Sequence, residues 1–157
     1  VGDETLDAVT KIAKIVAHNP EALAFLVMYG TNDTSSGVTP ADYIARMKTI
    51  VDTIVSSGNA TVFLARIPPL LPNPTTGASR NGLTNTIRLY NTEIATLVSS
   101  YASTNPGRVR LGPDFFTFFS DATVKAEQFD IDGIHFNGRG YGSMARLWFD
   151  VINGQIP

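Results

Sequence analysis

Hydrophobic and polar residues follow alternating helical and strand patterns along this 157-residue chain. Apolar residues recur three and four positions apart in four segments, which predicts amphipathic helices. These helical segments are residues 5–18, 40–57, 83–101 and 139–152. Between them, short apolar runs predict strands at 23–29, 61–67 and 108–111. Helices that alternate with strands in this way favour an α/β domain with a parallel sheet. Residues 112–131 follow neither pattern and are expected to be irregular.

The predicted strand 23–29 is apolar at every position. Such a strand is typical of a parallel sheet that is covered by helices on both faces. An apolar strand with a free edge invites aggregation, so we expect a neighbouring strand on each side of it. Only two further strands are predicted within the chain, which leaves one neighbour of 23–29 unaccounted for.

Composition narrows the classes of protein that fit this pattern. Lys and Arg number 12 against 14 Asp and Glu, and 43% of residues are hydrophobic, so we expect one domain over residues 1–157 with a true core. A near-neutral charge argues against nucleic acid as a partner. With no Cys and only two His, disulfides and multi-His metal sites are excluded, and no cofactor or metal is expected. No apolar run is long enough to predict a membrane span.

The loop after the first predicted strand reads Gly30–Thr31–Asn32–Asp33. Ligands of open parallel sheets bind at the carboxyl ends of the strands, where this loop lies. The Asn32 amide there could donate to an oxyanion that develops during a reaction. The structural alternative is an Asx-turn, in which Asn32 bonds to the backbone of its own loop.

A second candidate site is Asp132–Gly133–Ile134–His135, just before the last helix. The two outer side chains are three residues apart, so the carboxylate can accept a hydrogen bond from the imidazole. Such a bond orients a histidine that acts as a general base. The alternative is a capping Asp beside a surface His. The other histidine, His18, ends the first helix, where a cation is favoured structurally, and it is assigned no function.

Gly2 is a third candidate, because its backbone N–H precedes the first helix and could face an anion. An ordinary helix cap by Asp3 is the alternative.

Together, the blocks that begin at Gly2, Gly30 and Asp132 resemble, in order, three sequence blocks of the SGNH (GDSL) hydrolases. The resemblance implies a flavodoxin-like three-layer α/β/α sandwich around a parallel sheet. It also implies that Gly2 and Asn32 are oxyanion donors, His135 the general base and Asp132 its orienting carboxylate.

The block Gly-Asp-Ser, which carries the family's nucleophile and first strand, is absent from the sequence. Ser35, Ser36 and Ser143 lie near the candidate residues, but none has the strand-to-turn setting of an activated hydroxyl. We therefore assign no nucleophile within this chain. A cleaved enzyme, a shortened one and a protein that has lost catalysis all fit. The first is favoured, and it predicts an N-terminal fragment of the same precursor as a partner.

The resemblance implies a serine esterase, and similarity to secreted carbohydrate esterases suggests O-acetyl groups of polysaccharides as the substrate. Few Lys and many Thr and Asn residues also favour secretion. The alternatives are a non-catalytic, carbohydrate-binding relic of the same fold and a carboxylate-based metal hydrolase. The Pro-rich loop 68–82, the aromatic segment 115–119 and Arg66 are expected to rim the cleft. Burial preference nevertheless favours the core for the Phe side chains of that segment.

Overall fold

The computed structural model describes residues 2–73, 75–153 and 155, without the side chains of 125 and 126. Its strands are β1 (Ala24–Val27), β2 (Thr61–Arg66) and β3 (Val109–Asp114). Its helices are α1 (Thr5–His18), α2 (Thr31–Ser35), α3 (Pro40–Ser57), α4 (Asn81–Ser100), α5 (Phe115–Ser120), α6 (Ala122–Gln128) and α7 (Gly138–Ile152). The four helices and three strands predicted from hydrophobic periodicity are therefore all present.

The three strands form one parallel sheet in the order β1-β2-β3. Ala24 pairs with Thr61 at the start of β1, and Val62 pairs with Val109 across the other edge of β2. Parallel neighbours joined by helices bring all three carboxyl ends to one edge of the sheet. The loops after β1, β2 and β3 consequently meet at that edge.

Helices cover both faces of the sheet, which confirms the α/β/α sandwich. One face carries the larger core, built from α1, α3 and α4. The predicted inward stripe of α3 is fully buried there: Tyr43, Met47, Ile50, Val51 and Ile54. Thr39 caps this helix by accepting from Asp42 N, and Pro40 occupies its first turn, as predicted. The other face carries a second, aromatic core beneath α5, α6 and α7.

The first strand is shorter than the predicted 23–29 and less covered than its apolar sequence suggested, and the neighbour that the sequence left unaccounted for is also absent among the described residues. Strand β1 spans only Ala24–Val27, and within the described residues it has a neighbour on one side only. Leu26 remains 45% exposed and Leu23 59% exposed. Both are large apolar side chains, so this edge of the sheet presents hydrophobic surface to solvent.

The third strand is longer than the predicted 108–111, because Gly112 and Pro113 are part of it. A Cβ at Gly112 would approach the Trp148 ring to 2.8 Å, so glycine lets α7 pack directly on the strand. Pro113 is tolerated because β3 is an edge strand among the described residues and its pairing with β2 is irregular between Leu111 and Asp114.

Residues 112–131 were expected to be irregular, and this is also wrong. Asp114 caps α5 by accepting from Thr117 N at 2.9 Å, and Asp121 caps α6 by accepting from Thr123 N at 2.8 Å. Two short helices result, because these side chains satisfy amide groups that a helix leaves unpaired at its start. None of the helices in the described part of the chain is long and apolar enough to cross a membrane.

Candidate active site

Gly30 turns the chain sharply at the carboxyl end of β1. Its φ of +126° is a conformation that residues with a side chain rarely adopt, and a Cβ would collide with the Ile67 side chain. The chain then enters α2, a single helical turn where the sequence predicted a loop. This turn places Asn32 at the edge of the sheet where the strand-end loops meet.

Asn32 joins this loop to the start of the chain. Its Nδ2 donates to the backbone carbonyl of Asp3 at 3.1 Å, so an Asx-turn within its own loop is not what the side chain forms. Gly2 lies beside this contact, with a φ of +85°. The cap of α1 is Glu4 rather than Asp3, with Glu4 N donating to Asp7 at 2.9 Å. Asp3 instead binds Lys11 at 2.8 Å.

Asp33, which was not singled out from the sequence, holds these two loops together. Its carboxylate is fully buried and accepts from Thr5 N at 3.1 and 3.2 Å, and from the Thr5 hydroxyl. Arg46 lies 3.6 Å away and supplies an opposite charge. A buried charge is stable only when it is paired and hydrogen-bonded in this way. The α1 N-terminus is thereby fixed beside Asn32.

The histidine loop has the geometry that the sequence predicted. Asp132 Oδ2 lies 2.5 Å from His135 Nδ1, while Oδ1 accepts from the backbone N–H groups of Ile134 and His135 at 2.8 and 2.9 Å. Asp132 therefore closes a turn within its own loop and contacts the imidazole, while the cap of α7 is Asn137, which accepts from Arg139 N and Gly140 N. The His135 hydrogen bond, with the two backbone bonds, lowers the pKa of Asp132 to about 2. Asp132 is therefore ionised at neutral pH.

Contacts to the rest of the molecule hold the histidine loop in place. Asp130 N donates to the His135 carbonyl at 2.8 Å and closes the loop at its base. Arg80 Nη1 donates to the carbonyls of Asp132 and Leu71, both at 2.9 Å. The Pro-rich loop is therefore attached to the histidine loop, and Arg80 is a positioning residue that periodicity could not reveal.

Asn32 and His135 line the same cavity, which has a volume of about 230 Å³. Its polar edge also includes Asp3 and Thr31. Its apolar wall comes from several elements: Met28, Tyr29, Pro68, Ile134, Phe136, Tyr141 and Met144. Loops from opposite ends of the chain thus meet at one site. Gly2 is adjacent to this cavity through Asp3 but is not among its lining residues in the described chain.

The expected rim of the cleft is only partly correct. Pro68 of the Pro-rich loop lines the cavity, but the aromatic segment does not. Phe115 and Phe119 are fully buried in the second core, as burial preference favoured. Arg66 lines a different cavity, described below.

Ser36 and His18, which were also considered above, make contacts that stabilise the fold. Ser36 donates its hydroxyl to Glu4, and His18 Nδ1 lies 2.8 Å from the Lys14 carbonyl in the last turn of α1. Within the described residues, no group of three or more His, Asp or Glu side chains is placed to hold a metal ion. The catalytic roles of Gly2, Asn32, Asp132 and His135 stay predictions.

The chain belongs to the GDSL-like lipase/acylhydrolase family, whose model matches residues 1–142. It is 28% identical over 146 residues to a multidomain esterase of Ruminococcus flavefaciens, covering 90% of this chain and 17% of that protein. The chain therefore spans about a sixth of this curated relative. Among solved structures, a lipase/acylhydrolase from Enterococcus faecalis has a TM-score of 0.75 at 18% identity, covering 99% of this chain and 73% of the other. An acetyl esterase mutant with acetate ion has a TM-score of 0.68 at 20% identity, covering 96% and 70%. These likenesses establish the fold.

Proposed function

We propose that this chain forms most of a serine esterase site, and that the nucleophilic Ser comes from a segment outside these 157 residues. One observation carries the proposal. An amide donor, Asn32, and an imidazole oriented by a carboxylate, His135 with Asp132, line a single cavity at the carboxyl edge of the sheet. Members of its family are esterases and acylhydrolases, whose chemistry requires this combination.

His135 acts as the general base. Because Asp132 accepts from Nδ1–H, the neutral imidazole has its lone pair on Nε2. Nε2 takes the proton of the attacking Ser hydroxyl as its oxygen bonds to the ester carbonyl carbon. The same proton then goes to the departing alcohol, and an acyl-serine remains. Water adds to the acyl carbon with His135 again as base, which releases the acid and restores the Ser.

Asn32 stabilises the oxyanion formed in each addition. Its amide has two N–H groups, and the bond to the Asp3 carbonyl uses only one of them. That bond fixes the amide plane and leaves the second N–H for the oxyanion. The Gly2 N–H would be a further donor, on the loop that Asp33 holds through Thr5. Loss of one such donor costs about 10²- to 10³-fold in rate.

The open edge of β1 supports the external origin of the nucleophile. Leu26 on this strand and Leu23 just before it are exposed, although the sequence there has the continuous apolar character of a strand with two neighbours. A strand seated against this edge would end at the same side of the sheet as Gly30. A Ser at its carboxyl end would therefore face the cavity between Asn32 and His135.

We further propose O-acetyl groups on carbohydrate as the substrate, with the enzyme secreted. The cavity of about 230 Å³ is smaller than pockets that enclose drug-sized ligands, which favours a short acyl group. Its apolar wall includes Met28, Phe136 and Met144, which suits a methyl group, while Asp3, Thr31 and Asn32 form its polar edge.

The test uses the polypeptide that contains this chain together with its preceding segment. His135→Ala should reduce p-nitrophenyl acetate hydrolysis by at least about 10³-fold without loss of folding. His18→Ala is the matched control and should retain full activity, since His18 only ends α1. Equal activity of His135→Ala and the unaltered protein would refute the assigned base.

Substrate class is tested separately with the unaltered protein. Release of acetate from acetylated xylan, with slow turnover of long-chain p-nitrophenyl esters, is the expected result. A preference for long chains would contradict the acetyl proposal while leaving ester hydrolysis intact. Binding of xylan without any ester hydrolysis would instead favour a non-catalytic relic. Loss of hydrolysis in a chelator would favour a metal hydrolase.

A further inference from the structure

A second cavity, of about 210 Å³, lies at the same edge of the sheet on the α4 side. The last residues of β2 and β3 form its floor, and α4 and α5 form its walls. Its main lining residues are Arg66, Arg88, Asn91, Asp114, Phe116 and Thr117. None of these side chains lines the proposed esterase cavity, so this second cavity needs a separate explanation.

Among the described residues that line this cavity, Asp114 is the one carboxylate, and it is already hydrogen-bonded. Asp114 accepts from Thr117 N and Thr117 Oγ1, both at 2.9 Å, and from Arg66 Nη1 at 2.6 Å. Burial alone would raise the pKa of Asp114, but the bonds from Thr117 and Arg66 outweigh it and hold that pKa below its ordinary value. The carboxylate therefore stays charged and fixes one edge of the Arg66 guanidinium.

Arg88, an exposed residue of α4, lacks such a partner within the described chain and presents its N–H groups to solvent at the cavity mouth. Its Cζ lies 4.9 Å from the centroid of the Phe116 ring, a cation–π contact that engages the face of the guanidinium. In the part of the chain that the structure describes, no hydrogen bond or ion pair engages its N–H groups. Asn91 is unable to serve as that partner, because its Oδ1 and Nδ2 bind the backbone of Ile67 at 2.7 and 3.0 Å.

The cavity thus has two guanidinium groups against one carboxylate, an excess of one positive charge. The unengaged charged groups are N–H donors: the edges of Arg88 and the remaining edge of Arg66. A planar fork of N–H donors matches the two oxygens of a carboxylate. One bound monoanion would balance the single excess positive charge of these lining residues, whereas a dianion would leave a net negative charge in the cavity.

We propose that this cavity binds the carboxylate group of a small acid, with Arg88 forming paired hydrogen bonds and Arg66 adding charge. Such a carboxylate belongs either to an acidic saccharide or to a free short-chain acid. This inference does not depend on the proposed esterase activity, since it rests on residues outside that site. Arg88 is the determining residue, because its fork is the one not already paired.

The test is an NMR titration of the full chain with sodium D-glucuronate, acetate, inorganic phosphate and neutral glucose. Glucuronate or acetate should shift the amide resonances around residues 88–92 and 114–117 in a saturable way. Tighter binding of glucuronate identifies a saccharide ligand, whereas equal binding of acetate identifies a free acid. Either result supports a carboxylate site.

Two substitutions of Arg88 distinguish paired hydrogen bonds of the guanidinium group from the effect of a positive charge alone. Arg88→Gln should weaken binding at least about tenfold, and Arg88→Lys should also weaken it, because an ammonium group cannot form the paired bonds. Arg146→Gln removes an exposed charge on α7 and is the matched control, expected to leave binding unchanged.

Several outcomes would overturn the proposal. These are no saturable shift up to about 50 mM ligand, shifts of equal size with glucose, and phosphate binding as tight as that of the carboxylates. Full binding by Arg88→Lys, or equal losses in Arg88→Gln and Arg146→Gln, would also contradict it.

Discussion

Asp33→Asn tests whether the buried carboxylate holds together the loop that carries Asn32 and the start of the chain at Gly2. The substitution keeps the size of the side chain but removes its charge and one of two accepting oxygens. Asp33 is fully buried and accepts from Thr5 N and Thr5 Oγ1, so an Asn amide group must face at least one donor. A lost hydrogen bond to a charged group costs about 1.5–3 kcal/mol.

The ion pair adds a smaller contribution. Arg46 lies 3.6 Å from Asp33, but its side chain is 26% exposed, so solvent screens the pair. We therefore assign about 1 kcal/mol of unfolding free energy to this ion pair. The expected loss of unfolding free energy is about 2–4 kcal/mol. For a domain of this size, each kcal/mol lowers Tm by about 2–4 °C.

Urea unfolding followed by circular dichroism and by fluorescence of Trp148, the single tryptophan, gives this value. Asp150→Asn is the control, because it removes the same charge from an exposed side chain 4.0 Å from Arg146 and should change stability by less than about 0.5 kcal/mol. Equal effects of the two substitutions, or a loss below about 1 kcal/mol for Asp33→Asn, would refute the structural importance assigned to Asp33.

Three further predictions concern the stability contributed by Tyr90, Gly30 and Asn91. Burial raises the pKa of Tyr90 from about 10 to about 12, so the unfolded state loses its proton first as pH rises between these values. The unfolding free energy from urea titrations should therefore fall as pH rises from about 10 to about 12, and Tyr90→Phe should make that fall smaller. Gly30→Ala should lower stability by about 2 kcal/mol or more in thermal unfolding, whereas Gly82→Ala, in open space within α4, should be neutral or stabilising. Asn91→Leu should cost about 2–4 kcal/mol in urea unfolding, because it leaves both backbone groups of Ile67 buried without partners, and a loss under 1 kcal/mol would contradict this.

Periodicity predicted the long elements well because their burial repeats over many residues. The inward stripe of α3 and the cap at Thr39 follow directly from local sequence and match the structure. The short elements depend on single contacts instead. Helices α5 and α6 begin at Asp114 and Asp121, and nothing in the apolar pattern distinguishes a capping Asp from one in an irregular loop.

The candidate site was predictable where its chemistry is local. Asp132 and His135 are three residues apart, so their hydrogen bond could be anticipated from the sequence. The bond between Asn32 and the Asp3 carbonyl, and the buried contact between Asp33 and Thr5, join residues nearly 30 positions apart. Such contacts arise from tertiary packing, which determines whether a polar residue is exposed or buried. The same limit applies to Arg80 and to Asn91.

Covalent labelling can show whether Asn32 and His135 serve a Ser outside this chain. The polypeptide that contains this chain with its preceding segment would be treated with a fluorophosphonate, digested and mapped by mass spectrometry. We expect one labelled Ser, located before Val1, and loss of that label in His135→Ala but not in His18→Ala. A label on Ser35, Ser36 or Ser143, or undiminished labelling of His135→Ala, would contradict the account.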